Sequence, residues 1–148
     1  MYKHLLLPTD GSTLAGKAVV KGIALAKALG ARITLLSVVP EFRMVADESF
    51  VMPGSAQLKG RYEREATARA TGMLRKLQQR AAKAGVKADI VALTGDLPYR
   101  QIIATARSRK CDVVVMASHG RRGLTGLLLG SETVKVLTHS KIPVLVVR

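Results

Sequence analysis

Apolar residues follow two alternating patterns along the chain: short continuous runs, and longer segments with an apolar residue at every third or fourth position. Continuous apolar runs of about four to eight residues are typical of strands covered on both faces of a parallel sheet. The runs predict five strands, at Lys3–Pro8, Ile33–Val39, Asp89–Leu93, Asp112–Ala117 and Val144–Val147.

The segments between these runs predict four helices. The first ends at Gly30, the second runs from about Ala56 to Ala84, the third from about Leu97 to Lys110, and the fourth begins near Ser131. Asp96 is the predicted N-cap of the third helix. One face of the second helix is apolar and is predicted to pack on the core: Leu58, Tyr62, Ala66, Ala70, Leu74, Leu77 and Ala81.

Strict alternation of strands and helices predicts an α/β fold, an open five-stranded parallel sheet with right-handed crossovers and helices on both faces. The sequence shows no internal repeat, and residues 1–148 are predicted to form a single domain. The long segment Pro40–Ser55 carries apolar residues that either cover a ligand or a partner subunit, or simply pack down onto the protein surface. Both interpretations stay open.

The composition excludes several classes of protein. The 148 residues are 48% hydrophobic and 23% charged, which is typical of a globular protein rather than a disordered one. Aromatic residues make up 3% with no Trp, which argues against a base-stacking surface for single-stranded nucleic acid. The single cysteine, Cys111, excludes an intramolecular disulfide and is predicted to be a small core residue. With no membrane-length apolar run and no signal-peptide pattern, we expect the cytoplasm and no membrane partner.

The charge is unusual, with 24 Lys and Arg against 10 Asp and Glu and a net charge of +14. Such an excess attracts anions. Most basic residues are scattered singly, so we favour general solubility and anion attraction over a polyanion partner. Nucleic acid is considered as a partner but is not favoured.

Ligands of open parallel sheets bind beyond the carboxyl ends of the strands. Three segments have this position: Pro8–Ser12, the end of the second strand around Ser37–Val39, and Ala117–Ser131. The third segment has four glycines, two arginines, and a helix start at its end, which together favour an anion such as phosphate. The alternative is a flexible glycine-rich connection with Ser131 as an ordinary N-cap. Neither a Walker loop nor a dinucleotide fingerprint is present.

At these segments the sequence resembles the universal stress protein family over essentially its whole length. Four motifs carry the resemblance: Pro-Thr-Asp-Gly-Ser at 8–12, Ser-His-Gly-Arg-Arg-Gly at 118–123, Leu-Gly-Ser at 129–131, and Pro-Val-Leu-Val-Val at 143–147. The resemblance implies a Rossmann-like fold of the adenine nucleotide alpha hydrolase type. It also implies homodimers joined through the last strand, and two branches, of which one binds ATP.

The ATP-binding branch carries the motif Gly-x2-Gly-x9-Gly-Ser/Thr. In this chain Gly120, Gly130 and Ser131 match it, whereas Ala117 stands at the first glycine position. A methyl group there is harmless if the backbone stays extended, but would crowd a sugar packed on the strand end. The chain therefore resembles the ATP-binding branch with one departure.

The resemblance further implies which residues form the nucleotide site: Pro8, Thr9, Asp10, Val38, Met116, Ala117, Gly120, Arg121, Gly130, Ser131 and Glu132. In it, Asp10 reaches the ribose or a metal-bound water, and the backbone of Val38 meets the adenine edge. Glu132 offers its N–H group to the phosphates, with its carboxylate expected to point away. The alternative for Asp10 is a cap on the following helix.

We therefore expect a cytoplasmic stress-response protein that binds ATP, ADP or AMP, with Mg²⁺ as the default metal. It would act as a homodimeric, nucleotide-dependent regulator of an unknown protein partner. No catalytic residue and no metal-ligand set of the protein itself is expected. Ser118 and His119 are adjacent and would point in different directions if the strand continued, and no Walker lysine is present, so any ATP hydrolysis should be slow. The alternative is a stress protein without a nucleotide that acts only through protein partners, and Ala117 is the feature that favours it.

Overall fold

The structure, a computed structural model, describes residues 1–42, 53–120 and 129–148. Strands and helices alternate through these ranges, as the apolar pattern predicts. The elements are β1 His4–Pro8, α1 Thr13–Leu29, β2 Arg32–Val39, α2 Ser55–Lys83, β3 Ala88–Thr94, α3 Pro98–Ser108, β4 Val113–Ala117, α4 Ser131–His139 and β5 Val144–Val147.

The five strands form one parallel sheet in the order β3-β2-β1-β4-β5. The chain builds outward from β1 to β3 in one direction and then crosses back to β4, so the strand order reverses between β1 and β4. At such a reversal the connecting loops on either side separate, and a crevice opens beyond the carboxyl ends of the two strands. The predicted fold class is confirmed, and this crevice is where the candidate site lies.

The sheet is covered on both faces, which explains why its strands are apolar on both sides. Alternate residues of β1 and β4 belong to two separate cores: Leu5 and Leu7 pack under α1 and α2, whereas Leu6 packs under α3 and α4. All three leucines are fully buried. Burial on both faces leaves the strand ends, rather than the strand faces, for a ligand.

Two features of α1 agree with its sequence signals. The Ser12 Oγ accepts a hydrogen bond from the Ala15 N–H group at 3.2 Å, which caps the start of the helix. Gly30 ends it in a left-handed conformation with φ of +62°.

The apolar face of α2 packs on the core only in its second half. Ala70, Leu74 and Ala81 are buried, but Leu58 is 54% exposed and Tyr62 40% exposed. The first half of α2 therefore does not pack on the sheet as predicted. Phe42 lies beside it, with its ring centroid 4.9 Å from that of Tyr62. Of the predicted segment Pro40–Ser55, residues 43–52 lie outside the described residues, and Ser55 is the first residue of α2.

The predicted N-cap of α3 is wrong. Leu97 occupies the N-cap position, and no side chain of the N-cap residue bonds the helix. Instead the Glu132 Oε2 atom accepts a hydrogen bond from the Tyr99 N–H group at 2.9 Å. A carboxylate from the neighbouring helix therefore caps the start of α3, a contact that local sequence spacing does not reveal.

None of the described helices is long and apolar enough to cross a membrane.

Candidate functional site

The end of β1 is held in a tight turn by Thr9. Its side chain is buried, its N–H group donates to the Leu36 carbonyl oxygen at 2.8 Å, and its Oγ1 accepts from the Gly11 N–H group at 3.2 Å. Pro8, the last residue of β1, is half-buried. These bonds attach the turn after β1 to the end of β2. Asp10, the next residue, lies at the crevice.

Asp10 supports the turn, while Ser12 is the N-cap of α1. The Asp10 Oδ1 atom accepts from the Ser12 N–H group at 2.9 Å. Its other oxygen, Oδ2, faces the loop that follows β4. A β-carbon built on Gly120 would lie 2.6 Å from that oxygen, closer than real β-carbons approach. Glycine at 120 thus permits the two loops of the crevice to touch.

The start of α4 is bonded directly to the end of β4. The Ser118 carbonyl oxygen accepts from the Gly130 N–H group at 2.8 Å, and the Ala117 carbonyl oxygen accepts from the Thr133 Oγ1 at 3.0 Å. A β-carbon on Gly130 would lie 3.2 Å from the Ser118 oxygen, so glycine suits this close approach. Sequence reasoning missed Thr133, although a buried threonine one turn into a helix is a signal for such a bond.

Ala117 and Met116 face opposite sides of the sheet. Ala117 belongs to the same buried core as Val113 and Val115, under α1, whereas Met116 belongs to the core under α3 and α4. The residue at the departing motif position is therefore packed in the protein interior, 5% exposed.

Among the described residues, no side chain caps the N-terminus of α4. Its N-cap residue, Gly130, is extended and makes no side-chain cap hydrogen bond. The first N–H groups of a helix have no partner within the helix, so those of Ser131 and its successors are donors at the crevice, reinforced by the helix dipole. The Glu132 carboxylate does not cover them, because it bonds the Tyr99 N–H group and the Lys135 Nζ atom, the latter at 2.8 Å.

Two predicted site residues remain, Val38 and Arg121, and only Val38 is among the described residues. Val38 lies one residue before the end of β2, at the same edge of the sheet, half-buried beside the core under α3 and α4. Arg121 lies outside the described residues. The structure thus brings the ends of β1 and β4 and the start of α4 into contact, with Val38 one strand further along.

The side chains of Ser118 and His119 do not point apart. The Ser118 Oγ and His119 Nδ1 atoms lie 3.0 Å apart, because β4 ends at Ala117 and strand alternation no longer applies. Ser118 is 3% exposed, so its hydroxyl is buried against the histidine rather than presented to a substrate. Among the described residues no group of three or more His, Cys, Asp or Glu side chains is placed to hold a metal ion.

Fold and crevice together define a doubly wound α/β protein of the Rossmann-like type, with its open site at the reversal of strand order. Comparison with known proteins is more specific. The model of the Universal stress protein family matches residues 1–148. The universal stress protein MJ0531 of Methanocaldococcus jannaschii is 32% identical over 148 residues, covering all of this chain and 83% of the relative. The chain belongs to the universal stress protein family.

Solved structures agree with this assignment. The structure of protein MJ0577, from the same archaeon, superposes with a TM-score of 0.85 at 28% identity, covering 99% of this chain and 96% of that one. The structure of a universal stress protein in complex with cAMP superposes with a TM-score of 0.67 at 25% identity, covering 99% of this chain and 97% of that one.

Proposed function

We propose that this universal stress protein binds an adenine nucleotide at the crevice between β1 and β4. The observation that carries the proposal is the N-terminus of α4, which no side chain in the described part of the chain caps. Its donors lie beside the Asp10–Gly120 contact, and its own acidic residue, Glu132, is bonded elsewhere. A helix N-terminus of this kind suits phosphate oxygens. Gly120, Gly130 and Ser131 would line the phosphates, and Arg121 would add charge.

The residues present fit such a ligand. The methyl of Ala117 packs in the core under α1, so it removes no space from a ribose at the strand end. Asp10 would supply a carboxylate to the ribose or to a metal-bound water, and the backbone of Val38 would meet the adenine. Mg²⁺, if it accompanies the nucleotide, would be held by phosphate oxygens and waters, and Asp10 would bond one of those waters, since magnesium keeps most of its waters.

Two further points support the proposal. One similar universal stress protein was solved in complex with cAMP, so the family fold accommodates an adenine nucleotide in that case. The feature that favoured a stress protein without a nucleotide was Ala117, and its buried methyl group is no obstacle. We infer ATP as the ligand, with ADP and AMP as the other candidates.

The bound nucleotide would regulate contacts with a protein partner rather than undergo rapid turnover. The Ser118 hydroxyl is buried against His119, so it is not presented to a bound phosphate as a nucleophile. We therefore infer that any hydrolysis is slow compared with the roughly 1 to 1,000 per second of ordinary enzymes.

The single cysteine, buried and unpaired, fits a reducing cytoplasm.

We further infer that two chains associate through β5. This strand forms one edge of the sheet, and Leu145 on it is 46% exposed. An open groove of about 580 Å³, whose lining includes Lys21, Val115 and Leu145, runs beside it. An apolar edge strand invites pairing with another strand, and a second copy of β5 would cover both the edge and the groove.

The decisive experiment is the nucleotide content of the purified protein, followed by calorimetry with Mg-ATP. We expect adenine nucleotide approaching one per chain, or saturable Mg-ATP binding to protein stripped of it. Gly120→Ala should weaken this binding at least about tenfold, because its β-carbon displaces the Asp10 carboxylate. Gly16→Ala is the matched control, since a β-carbon there meets nothing within 4 Å. An empty protein that ignores Mg-ATP would refute the proposal in favour of a stress protein acting through protein contacts alone.

A further inference from the structure

The excess positive charge is concentrated on one side of the sheet. Helix α1 carries three lysines and no acidic residue, and α2 carries eight basic residues and two glutamates, so these two helices hold a net charge of +9 of the chain's +14. Both pack on the same face of the sheet. On the other face, α3 and α4 together carry three basic residues and one glutamate. The sequence pattern suggests that the basic residues are scattered singly. In the structure most of the net charge lies on one side of the sheet instead.

Within α2 the charge is concentrated further, on the outer surface. Taking about 100° of rotation per residue, the six basic side chains from Arg64 to Lys83 fall within a sector of about 160°, opposite the buried Ala70, Leu74 and Ala81. All six are exposed. We call this surface the basic stripe, and it consists of Arg64, Arg69, Arg75, Lys76, Arg80 and Lys83.

Within residues 1–42, 53–120 and 129–148, little neutralises the basic stripe. The exposed Glu65 is bonded to Arg61 at 2.9 Å, and the more distant Arg64 and Arg69 also help to lower its pKa. After Glu65 the sequence contains no acidic residue until Asp89. Five cations from Arg69 to Lys83 thus stand on one helix with no carboxylate in the same stretch. Such like-charge crowding costs stability, which an external polyanion would relieve.

The shape and chemistry of the basic stripe fit the phosphate backbone of a nucleic-acid duplex. At about 1.5 Å per residue it is about 28 Å long, close to one turn of a duplex at about 34 Å. Four of its six residues are arginines, whose planar guanidinium groups bind phosphate in two-pronged fashion. The described residues from Arg64 to Lys83 include no exposed large apolar side chain, so the stripe has nothing to stack on bases or enter a groove.

The same features disfavour a membrane surface. Helices that bind at a lipid interface bury an apolar face among the acyl chains. The apolar face of this part of α2 is already buried against β2 and β3. Only charge and hydrogen bonds remain available on the outer side.

We propose that the basic stripe of α2 binds the sugar–phosphate backbone of double-stranded nucleic acid without reading its sequence. Lys17 and Lys27 of α1, on the same side of the sheet and outside the lining of the β5 groove, would extend the contact. This inference is independent of nucleotide binding at the crevice, because α2 packs on β2 and β3, whereas the crevice lies beyond the ends of β1 and β4.

The test measures fluorescence anisotropy of a labelled duplex of about 20 base pairs, roughly two helical turns, over about 50 to 200 mM salt without ATP. We expect binding whose log K falls with log salt at a slope of about −3 to −5, as for four to six neutralised phosphates. Two duplexes of unrelated sequence should bind within about threefold of each other, because phosphate contacts carry no sequence information.

Two variants that each lose four charges separate the stripe from net charge. Arg69→Gln, Arg75→Gln, Lys76→Gln and Arg80→Gln together should weaken binding about 100-fold or more at low salt and flatten the slope by about 3. The control combines Arg107→Gln, Arg109→Gln, Lys110→Gln and Lys141→Gln, all exposed and outside α1 and α2, and should bind within about threefold of the parent. Circular dichroism and thermal unfolding establish that both variants are folded.

Three results would overturn the proposal. These are equal losses in the two variants, no duplex binding at low salt, and strong preference for one duplex sequence. Vesicles of phosphatidylglycerol and neutral lipid serve as the competing surface. Binding to vesicles with no binding to the duplex would assign the stripe to a membrane instead.

Discussion

Asp10 and Gly120 approach so closely that a β-carbon on Gly120 would lie 2.6 Å from the Oδ2 atom of Asp10. The two residues follow different strands, β1 and β4, on either side of the reversal in strand order. The other oxygen of the same carboxylate holds the Ser12 N–H group at 2.9 Å and so supports the start of α1. One side chain thus links the fold of the first loop to the shape of the candidate site.

Two substitutions at Asp10 should separate these roles. Asp10→Asn keeps an oxygen for the Ser12 N–H group, so we expect little loss of stability, but it removes the charge proposed to meet ribose or a metal-bound water and should weaken Mg-ATP binding at least about tenfold. Asp10→Ala should also lose about 0.5–1.5 kcal/mol of unfolding free energy with the hydrogen bond. Urea denaturation and calorimetry measure the two effects, and unchanged Mg-ATP affinity in Asp10→Asn would contradict its proposed role.

The Glu132 side chain is expected to contribute to stability but not to Mg-ATP binding. It lies in the first turn of α4, yet its carboxylate bonds the Tyr99 N–H group at the start of α3 and the Lys135 ammonium group. Glu132→Ala should therefore destabilise the protein by about 1 kcal/mol, as the loss of a helix cap does. Glu132→Gln, which keeps an acceptor for Tyr99, should lose less and leave Mg-ATP affinity within about threefold.

The comparison variant for Glu132 is Glu63→Gln, which alters a glutamate on α2 far along the chain from the crevice. Urea midpoints and calorimetric affinities are measured for all three variants. A Glu132→Gln protein of wild-type stability whose Mg-ATP affinity changes more than tenfold would mean that the carboxylate faces the ligand.

Asp10 and Glu132 show which parts of the fold and of the candidate site the sequence predicts. Apolar runs of β-branched and leucine residues define the five strands to within a residue or two, because burial on both sheet faces leaves a local pattern. The start of α4 is equally visible, since Gly130-Ser131 is a local signal. Asp10 is also found at the crevice, because it follows a strand directly.

Contacts between distant elements leave no such pattern. The Glu132–Tyr99 bond depends on how α3 and α4 pack, and spacing along the chain pointed instead to Asp96 as the cap of α3. The Thr133–Ala117 bond has the same origin. Likewise the clustering of six cations on the outer face of α2 emerges only once the buried face of that helix is known.

Association through β5 is tested by the mass of the protein in solution. Light scattering should give twice 15.8 kDa for the parent chain. Leu145→Lys places a charge on the exposed edge of the sheet and should yield the single-chain mass, since burying an unpaired charge costs several kcal/mol. Leu58→Lys, at an equally exposed leucine on α2, is the control and should keep the parent's mass. A parent of 15.8 kDa would refute association through this strand.

His4 is the first residue of β1, so it lies at the opposite end of that strand from the crevice. Its side chain is buried, its Nε2 atom lies 2.8 Å from the Thr34 Oγ1, and its Nδ1 atom has no hydrogen-bond partner among the described residues. Burial, and secondarily the charge of Arg32, lower the pKa of His4 below its usual 6.5, against the smaller opposing effects of Asp112 and Asp89.

Because the folded protein holds His4 neutral, the unfolded chain binds a proton that the folded state resists. The contribution of His4 to stability is therefore complete above about pH 6.5 and is lost as the pH falls from there towards the lowered pKa of the folded state, at up to about 1.4 kcal/mol per pH unit. Urea midpoints measured from about pH 8 to pH 5 should fall less steeply in His4→Gln than in the parent. His139→Gln removes an exposed histidine and should keep the parent's slope. Equal slopes in His4→Gln and the parent would show that His4 takes up its proton in the folded state as readily as in the unfolded chain.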